Sequence, residues 1–340
     1  MVGNVAIGGG APVSIQSMLN TKTTDVEGCL RQLRELKTAG CEIARLTVPN
    51  EAAARGFAEI VPQSPLPLVA DIHFDYKMAI AAAEAGAAKI RINPGNIGGE
   101  DRVKAVVDVC KDKHIPIRIG VNGGSLDKKL LEKYGHPTAE ALVESAFSHL
   151  ELLEKQGFYD SCVSMKSSTV PTMVKASRLF RQQCDYPLHI GVTETGPVRM
   201  GLVKSAMGIG ALLLDGIGDT LRVSLTADPV EEVYAAKEIL RAAGLRKQGA
   251  NIISCPTCGR TNIDLIGLVE KVDEALKDCP KNITVAVMGC VVNGPGEARE
   301  ADVGIAGGDN CGVLFVKGQM QQKLPYEELL PALLDYIDKL

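Results

Sequence analysis

Three cysteines and a glutamate in the C-terminal part of the chain have the residue types and spacing of a metal centre. Cys255 and Cys258 are three positions apart, so one loop can present both thiols to one metal. Cys290 follows a separate apolar segment, and the Gly- and Pro-containing turn after it can bring Glu297 back to the same centre. Three soft thiolates with one harder carboxylate suit an iron–sulfur cluster, and suit zinc less obviously.

Three alternative roles for these cysteines stay open. A thioredoxin-like dithiol would use Cys255 and Cys258 but needs no third thiol. Structural zinc could recruit Cys279 or Cys311 as a fourth ligand, although such sites usually contain two C-x-x-C pairs and this chain has one. Three unrelated buried thiols are the last alternative, which the Gly- and Pro-rich surroundings disfavour.

A second group of candidate residues lies at the ends of predicted strands and repeats a spacing of two. Because side chains alternate along a strand, each set faces one side, and the apolar residues between its members face the other. The sets are Arg45 and Thr47; Asp71 and His73; Arg91 and Asn93; Arg118, Gly120 and Asn122; Ser164 and Lys166; and Arg222 and Ser224.

Cations predominate in this group and come from five strands. They are Arg45, Arg91, Arg118, Lys166 and Arg222. Asp71 and Glu194 are too few to neutralise them, so we expect an anionic ligand, and planar Arg forks fit phosphate oxygens. An internal salt-bridge layer is the alternative. Glu194 is either a proton donor or an ordinary ion-pair partner, and His73 either contacts the ligand or is structural.

The elements that must position these residues alternate regularly. Eight β-branched segments are each followed by an Ala-rich helical pattern, and eight βα units is the number that closes a (β/α)8 TIM barrel. The polar sets then face the mouth at the carboxyl ends of the strands, where barrel enzymes keep their sites. The predicted strands are Val13–Met18, Ile43–Val48, Leu66–Ile72, Ala88–Asn93, Ile115–Val121, Ser161–Ser167, Leu188–Glu194 and Thr220–Leu225.

A polar, Gly-containing linker predicts two domains, 1–247 and 248–340. The first begins with Val2–Gly10, which we expect to be a small hairpin that caps the bottom of the barrel. The second has the mixed pattern of a compact α+β unit. Its predicted elements are strand Ile252–Ser254, helix Ile263–Leu276, strand Ile283–Met288, short strands near Val303–Ala306 and Gly312–Lys317, and helix Tyr326–Leu340.

Composition and charge exclude several classes of protein. The net charge of −4 argues against a nucleic-acid or membrane-surface partner. No apolar stretch approaches the roughly 20 residues that cross a bilayer. The start of the chain has no signal-peptide pattern, so we expect a cytoplasmic protein. Five further cysteines are predicted to be small buried hydrophobic residues; they are Cys29, Cys41, Cys110, Cys162 and Cys184.

A series of motifs, in order along nearly the whole chain, resembles the family of 4-hydroxy-3-methylbut-2-en-1-yl diphosphate synthases. The motifs around the cysteines are the most specific. The matching segments are Pro12–Met18, Ala70–Phe74, Arg91–Asn96, Arg118–Asn122, Gly191–Glu194, Gly216–Ser224, Cys255–Arg260 and Met288–Glu297. The chain lacks the inserted domain of the plant-type members, and its lead before the first barrel strand is shorter than in many relatives.

The resemblance implies a substrate-binding TIM barrel and a C-terminal α+β domain, similar to nitrite and sulfite reductases, that carries a 4Fe–4S cluster. Cys255, Cys258 and Cys290 are then expected to bind three irons and Glu297 the fourth, where a carboxylate is a labile ligand. Glu194 matches the position proposed as the catalytic acid. The expected substrate-binding residues are Arg45, Asp71, His73, Arg91, Asn93, Arg118, Asn122, Lys166, Arg222 and Ser224.

The resemblance also implies a reaction and its partners. The expected substrate is 2-C-methyl-D-erythritol 2,4-cyclodiphosphate, which is reductively opened and dehydrated with two electrons in isoprenoid biosynthesis. The sequence has no NAD(P)-binding fingerprint, so flavodoxin or ferredoxin is the expected donor. A homodimer is expected in which the cluster of one chain faces the barrel of the other. A group-transfer enzyme with a pterin-type barrel and a zinc-stapled tail, and a non-enzymatic metal carrier, are the alternatives.

Overall fold

The computed structural model of the chain describes residues 1–246, 249–277, 279–290 and 299–340. They divide into two compact units, Met1–Arg246 and Lys247–Leu340. The division falls one residue before the boundary expected from the linker.

In the described part of the first unit, eight parallel strands form a nearly closed barrel. The strand order is β6-β5-β4-β3-β2-β1-β8-β7, and an isolated bridge between Val163 and Leu188 brings β7 beside β6. The predicted (β/α)8 TIM barrel is therefore confirmed. The strands are β1 Ser14–Met18, β2 Ile43–Thr47, β3 Leu68–Asp71, β4 Lys89–Ile92, β5 Ile117–Asn122, β6 Ser161–Lys166, β7 His189–Ile190 and β8 Thr220–Leu221.

Helices follow the strands and cover the outside of the barrel. Their starts have local signals, because the side chains of Asp25, Asn50 and Thr138 accept hydrogen bonds from backbone N–H groups of the first helical turns. The helices are α1 Val26–Ala39, α2 Glu51–Ile60, α3 Tyr76–Glu84, α4 Pro94–Ile97, α5 Glu100–Asp112, α6 Lys128–Tyr134, α7 Ala139–Glu154, α8 Val170–Arg181, α9 Val198–Leu214 and α10 Pro229–Ala242, with 3-10 turns at Val61–Gln63 and Gly123–Ser125.

The apolar residues between the polar sets lie in the core between strands and helices, as predicted. Leu46, Ile72, Ile92, Ile119 and Val223 are all buried in this cluster. Alternation along the strands therefore directs their polar neighbours into the barrel.

The last two barrel strands are shorter than predicted. The sequence suggested Leu188–Glu194 and Thr220–Leu225, but the ladder ends at Ile190 and Leu221. At Gly191 the chain comes so close to the carbonyl oxygen of Arg222 that a Cβ would collide with it. Beyond that point the alternation rule no longer determines where side chains such as Glu194 point.

The N-terminal residues close the bottom of the barrel, as expected. Val2 and Val5 form an isolated antiparallel bridge. Val2 then packs against Ile43 and Val69, which point into the barrel from β2 and β3, with Ile7 beside them. This apolar plug excludes water from the bottom and leaves the opposite end of the barrel open.

The second unit is an α+β domain, as predicted. Its strand order is β13-β12-β11-β10-β9, with β9, β10 and β11 parallel and the other two antiparallel. Helices α11 and α12 pack against the sheet in one apolar cluster. The elements are β9 Ala250–Ser254, α11 Leu265–Leu276, β10 Ile283–Met288, β11 Val303–Gly307, β12 Cys311–Val316, β13 Gln319–Pro325 and α12 Tyr326–Lys339.

Strand β13 was not predicted from the sequence. Its residues, Gln319–Pro325, are mostly polar and exposed, so they lack the apolar alternation that marks a half-buried strand. The strand forms because its backbone completes the hydrogen bonds of β12 at the edge of the sheet.

Candidate active site

A cavity of about 290 Å³ opens at the carboxyl ends of the barrel strands. Every predicted substrate-binding residue except Ser224 lines it, so the structure brings together side chains from β2 to β6 and from segments that follow the barrel strands. The lining residues are Arg45, Asp71, His73, Phe74, Arg91, Asn93, Asn96, Arg118, Asn122, Ser125, Ser164, Lys166, Thr193 and Arg222.

Asp71 is the centre of an ion-pair cluster at one side of the cavity. Its carboxylate lies 3.7 Å from Arg45 Nε, 3.2 Å from Arg91 Nη1 and 3.8 Å from His73 Nε2. Burial raises the pKa of Asp71, but the charges of Arg45 and Arg91 more than offset it, so the pKa lies below its ordinary value. The carboxylate is therefore ionised and holds both guanidinium groups in place.

Arg222 has a different partner, which the sequence interpretation missed. The buried carboxylate of Glu232, in the first turn of α10, lies 3.4 Å from Arg222 Nε. It also accepts a hydrogen bond from the backbone N–H of Leu225. The sequence feature that could have indicated this partner is an acidic residue in the first turn of the helix after β8. Acidic residues at that position are usually explained by their favourable interaction with the helix dipole instead.

Arg118 and Lys166 are buried cations that lack such partners in the described part of the chain. Nε and Nη1 of Arg118 and Nζ of Lys166 have no hydrogen-bond acceptor there. Burial lowers the pKa of Arg118 to about 10, assisted by the charge of Arg91. Burial likewise lowers the pKa of Lys166 well below its ordinary value. A complete salt-bridge layer would have neutralised these groups, so the arrangement favours an anionic ligand.

Smaller side chains orient and make room for this set. Asn93 accepts a hydrogen bond from the backbone N–H of Gly95 at 3.1 Å and donates one to Ser125 Oγ at 3.4 Å. At Gly120 a Cβ would collide with the guanidinium of Arg91, so only glycine leaves that group its position. The role of Ser125 was not predicted, since it lies in a loop where strand alternation gives no information.

Glu194 and Ser224 lie outside the cavity lining. Glu194 is exposed and has a φ of +53°, which is unfavourable for a residue with a Cβ. Its neighbour Thr193 lines the cavity instead. The backbone carbonyl of Ser224 accepts a hydrogen bond from the hydroxyl of Thr195, which fixes the two segments after β7 and β8 to each other.

The three cysteines predicted as cluster ligands, Cys255, Cys258 and Cys290, lie after two neighbouring parallel strands, β9 and β10. Cys255 follows β9 and its Sγ accepts a hydrogen bond from the backbone N–H of Gly289 at 3.2 Å, one residue before Cys290. Cys258 is exposed. The pKa of its thiol is lowered mainly by a hydrogen bond from the backbone of Arg260, and further by one from the side chain of Arg260. Among the described residues no three ligating side chains meet at one point, and Glu297 lies outside those residues.

The donor set nonetheless fits a thiolate-bound metal group. The N–H···S contact from Gly289 to Cys255 joins the loop after β9 to the loop after β10, because these strands are parallel neighbours. A backbone N–H aimed at sulfur and a lowered thiol pKa at Cys258 both favour thiolates.

Comparison with known families identifies the chain. The family model described as the GcpE TIM-barrel domain matches residues 1–237, and the GcpE protein C-terminal domain matches residues 251–339. The chain belongs to the GcpE family. The family resemblance seen in the motifs is confirmed, and the two matched segments correspond to the two structural units.

Curated relatives of this family are enzymes that match over almost their full length. A Clostridium perfringens protein is 57% identical over 337 residues, which cover 99% of this chain and 97% of that one. A Geobacter sulfurreducens protein is 55% identical over 339 residues, covering 100% and 96%. Both are named 4-hydroxy-3-methylbut-2-en-1-yl diphosphate synthase (flavodoxin).

The similarity to one solved structure is much lower. A dihydropteroate synthase from Yersinia pestis has 13% sequence identity and a TM-score of 0.49, over 71% of this chain and 98% of that chain. Within the part of the chain that the structure describes, no helix is long and apolar enough to span a membrane.

Proposed function

We propose that the chain catalyses the reaction for which its relatives are named. In it, 2-C-methyl-D-erythritol 2,4-cyclodiphosphate takes up two electrons and two protons, and 4-hydroxy-3-methylbut-2-enyl diphosphate and one water are released. The observation that carries the proposal is the cavity at the barrel mouth, where Arg118 Nε and Nη1 and Lys166 Nζ are buried without hydrogen-bond acceptors in the described part of the chain. A cyclic diphosphate supplies the missing negative charge.

The barrel residues bind and orient this substrate. Arg118 and Lys166 face the phosphate oxygens, and Arg45, Arg91 and Arg222 add charge from positions fixed by Asp71 and Glu232. Because these guanidinium groups are held before the substrate arrives, little reorganisation is needed on binding. The amides of Asn93 and Asn122 and the ring of His73 complete the contacts, and Ser224 is proposed as a further contact from the segment after β8.

Cys255, Cys258 and Cys290 are proposed to hold three irons of a 4Fe–4S cluster, and Glu297 the fourth. When bound, the cluster supplies two electrons singly, which no side chain can do. The N–H donated by Gly289 to Cys255 Sγ supports the thiolate form of that ligand. The relatives' names contain flavodoxin, so we propose flavodoxin rather than ferredoxin as the electron donor.

Glu194 is proposed to give a proton to the departing C3 hydroxyl when the C2–O bond has opened. It follows Thr193, which lines the cavity, so a change in its own backbone conformation suffices to turn the carboxylate toward the mouth. Its left-handed φ of +53° supports this, because strained residues of this kind concentrate at functional sites.

A homodimer is proposed, with the cluster of one chain facing the barrel of the other. Helix α9 supports it with an exposed apolar stripe: Met200, Val203, Met207 and Leu214 are 52%, 49%, 61% and 75% exposed. Their spacing of three, four and seven places them on one side of the helix. An unpaired stripe of this kind usually marks a protein interface.

The cytoplasm is the proposed compartment. All ten cysteines lie within the described residues and none forms a disulfide. Free thiols in this number are typical of a reducing compartment.

Metal analysis and turnover of anaerobically purified protein test the proposal together. We expect a brown protein with about four irons per chain that turns over the cyclodiphosphate with a chemical reductant. Cys258→Ser should lose iron and activity. Cys279→Ser is the matched control and should retain both, since Cys279 is a ligand only under the zinc alternative. A colourless wild-type protein with one zinc, lost in Cys279→Ser, would refute the cluster.

A further inference from the structure

A buried polar layer lies in the barrel below the cavity, and Lys89 is the charged group that the structure describes in it. Lys89 precedes Arg91 by two positions on β4, so alternation directs it to the same inner face, deeper in the barrel. It is 1% exposed and does not line the cavity. In the described part of the chain its Nζ has no hydrogen-bond partner.

The groups that face Lys89 come from four other strands. Arg45 and Arg118 act on it as like charges from β2 and β5, and the thiol of Cys162 faces it from β6. His189 faces it from β7. Burial lowers the pKa of this imidazole well below its ordinary value, and the positive charges of Arg118 and Lys166 lower it further. His189 is therefore neutral, and the described surroundings of Lys89 carry no fixed negative charge comparable to that of Asp71.

Such a position is unfavourable for an ammonium group. Burial lowers the pKa of Lys89 to about 8, with smaller contributions from Arg118 and Arg45, while Cys162 opposes the change. An apolar residue of similar size would pack at this position without that penalty. Residues that reduce stability in this way are commonly retained for function.

We propose that Lys89 is a positioning residue of the diphosphate site: a buried ammonium below Arg91 and Arg118 that strengthens the positive potential of the cavity floor and holds its proton while the diphosphate is bound. The inference rests on the proposed function only in taking a diphosphate as the ligand. An anion in the cavity stabilises the charged form of Lys89, and by linkage the charged form stabilises the bound anion.

The consequence is proton uptake on binding, in a defined pH range. In the free protein Lys89 loses its proton as pH rises through about 8. A bound anion raises that pKa, so protons are taken up when the anion binds at pH 8.5. Near pH 6.5 Lys89 is protonated in both states and contributes no uptake. Lys166 can add uptake of its own, which a comparison between variants removes.

The test is calorimetric titration of the holoenzyme with inorganic pyrophosphate, in two buffers of different ionisation enthalpy, at pH 6.5 and 8.5. We expect Lys89→Met to bind pyrophosphate about tenfold more weakly at pH 6.5. The variant loses one positive charge that lies one side-chain layer from the ligand, in an interior that screens it only partly. At pH 8.5 it should take up fewer protons than wild type. Lys104→Met is the matched control, because Lys104 is an exposed lysine paired with Asp108. Its pyrophosphate affinity and its proton uptake should equal those of wild type.

Thermal unfolding separates this role from a structural one. Removal of a buried, unpartnered charge should raise the melting temperature of Lys89→Met by several degrees at pH 6.5. Lys89→Gln, which keeps a polar group, should show the same loss of affinity if the methionine variant fails to fold. A fall in melting temperature in both variants would identify Lys89 as structural and overturn the inference.

Two further outcomes are distinct. If both variants bind pyrophosphate with wild-type affinity and wild-type proton uptake, the role of Lys89 is refuted while the diphosphate site stands. If wild type itself binds no pyrophosphate, the diphosphate site of the proposed function is refuted, and this inference with it.

Discussion

Substitution of Asp71 by asparagine separates two effects of the charges in the cavity: their effect on the stability of the fold and their effect on the affinity for an anion. Asn has nearly the same shape but no charge. Arg45 Nε and Arg91 Nη1 lie 3.7 and 3.2 Å from the carboxylate, and all three side chains are largely buried. The substitution therefore leaves two buried guanidinium groups without their counter-charge.

The size of the effect follows from these distances. At an effective dielectric constant of about 20, charges 3–4 Å apart interact by about 4–5 kcal/mol. Desolvation offsets much of this, and breaking a buried pair typically reduces stability by about 3–5 kcal/mol. For a domain of this size that corresponds to a fall in melting temperature of roughly 10 °C. His73 adds little, because its side chain is 45% exposed.

Affinity should change in the opposite direction. Asp71→Asn removes a negative charge from the cavity wall, so inorganic pyrophosphate should bind more tightly than to wild type. Saturating pyrophosphate should then restore more of the melting temperature of the variant than of wild type. Asp108→Asn, an exposed acid paired with Lys104, is the control and should leave both quantities unchanged.

The pH dependence gives a further check. The pKa of Asp71 is lowered in the folded state, so its contribution is present above the unfolded value of about 4 and is lost as pH falls through the folded value. The difference in melting temperature between wild type and Asp71→Asn should therefore disappear in acid. Equal stability at neutral pH, or weaker pyrophosphate binding by the variant, would refute the proposed charge balance.

Three other substitutions test separate parts of the site. Glu194→Gln should abolish most turnover of the cyclodiphosphate while leaving its affinity intact; an unchanged rate under saturating reductant would remove Glu194 as the acid. Gly120→Ala should weaken pyrophosphate binding about tenfold, because the new methyl group displaces Arg91, and calorimetry that shows wild-type affinity would contradict this. Met207→Glu should convert the proposed dimer to a monomer in light scattering, and a persistent dimer would place the interface elsewhere than α9.

The strands and the polar positions of the barrel followed from periodicity. Alternation of polar and apolar residues predicted that Arg45, Arg91 and Arg118 face inward, and the structure has all three lining one cavity. The same alternation, applied two positions before Arg91, would have predicted that Lys89 also faces the inside of the barrel. Side chains on regular strands are predictable because the backbone fixes their direction.

The alternation rule failed where a barrel strand ends early, and it could not predict contacts between segments that are not in the same strand. Close approach of Gly191 to the backbone of Arg222 ends β7 early, so Glu194 lies outside the lining rather than within it. Glu232 reaches Arg222 from a helix, and β13 exists through its pairing with β12. Each of these depends on a contact between segments whose spacing along the chain carries no signal.

The sequence by itself determined the family, the barrel fold and the residue types that line the cavity, because motif order and local periodicity are properties of the chain. Only the tertiary structure decided which charges are paired. Asp71 pairs with Arg45 and Arg91, and Glu232 pairs with Arg222, while Arg118 Nε and Nη1 and the Nζ atoms of Lys166 and Lys89 have no hydrogen-bond acceptor in the described part of the barrel. Charge balance is a matter of distance and burial in three dimensions, which composition and spacing do not specify.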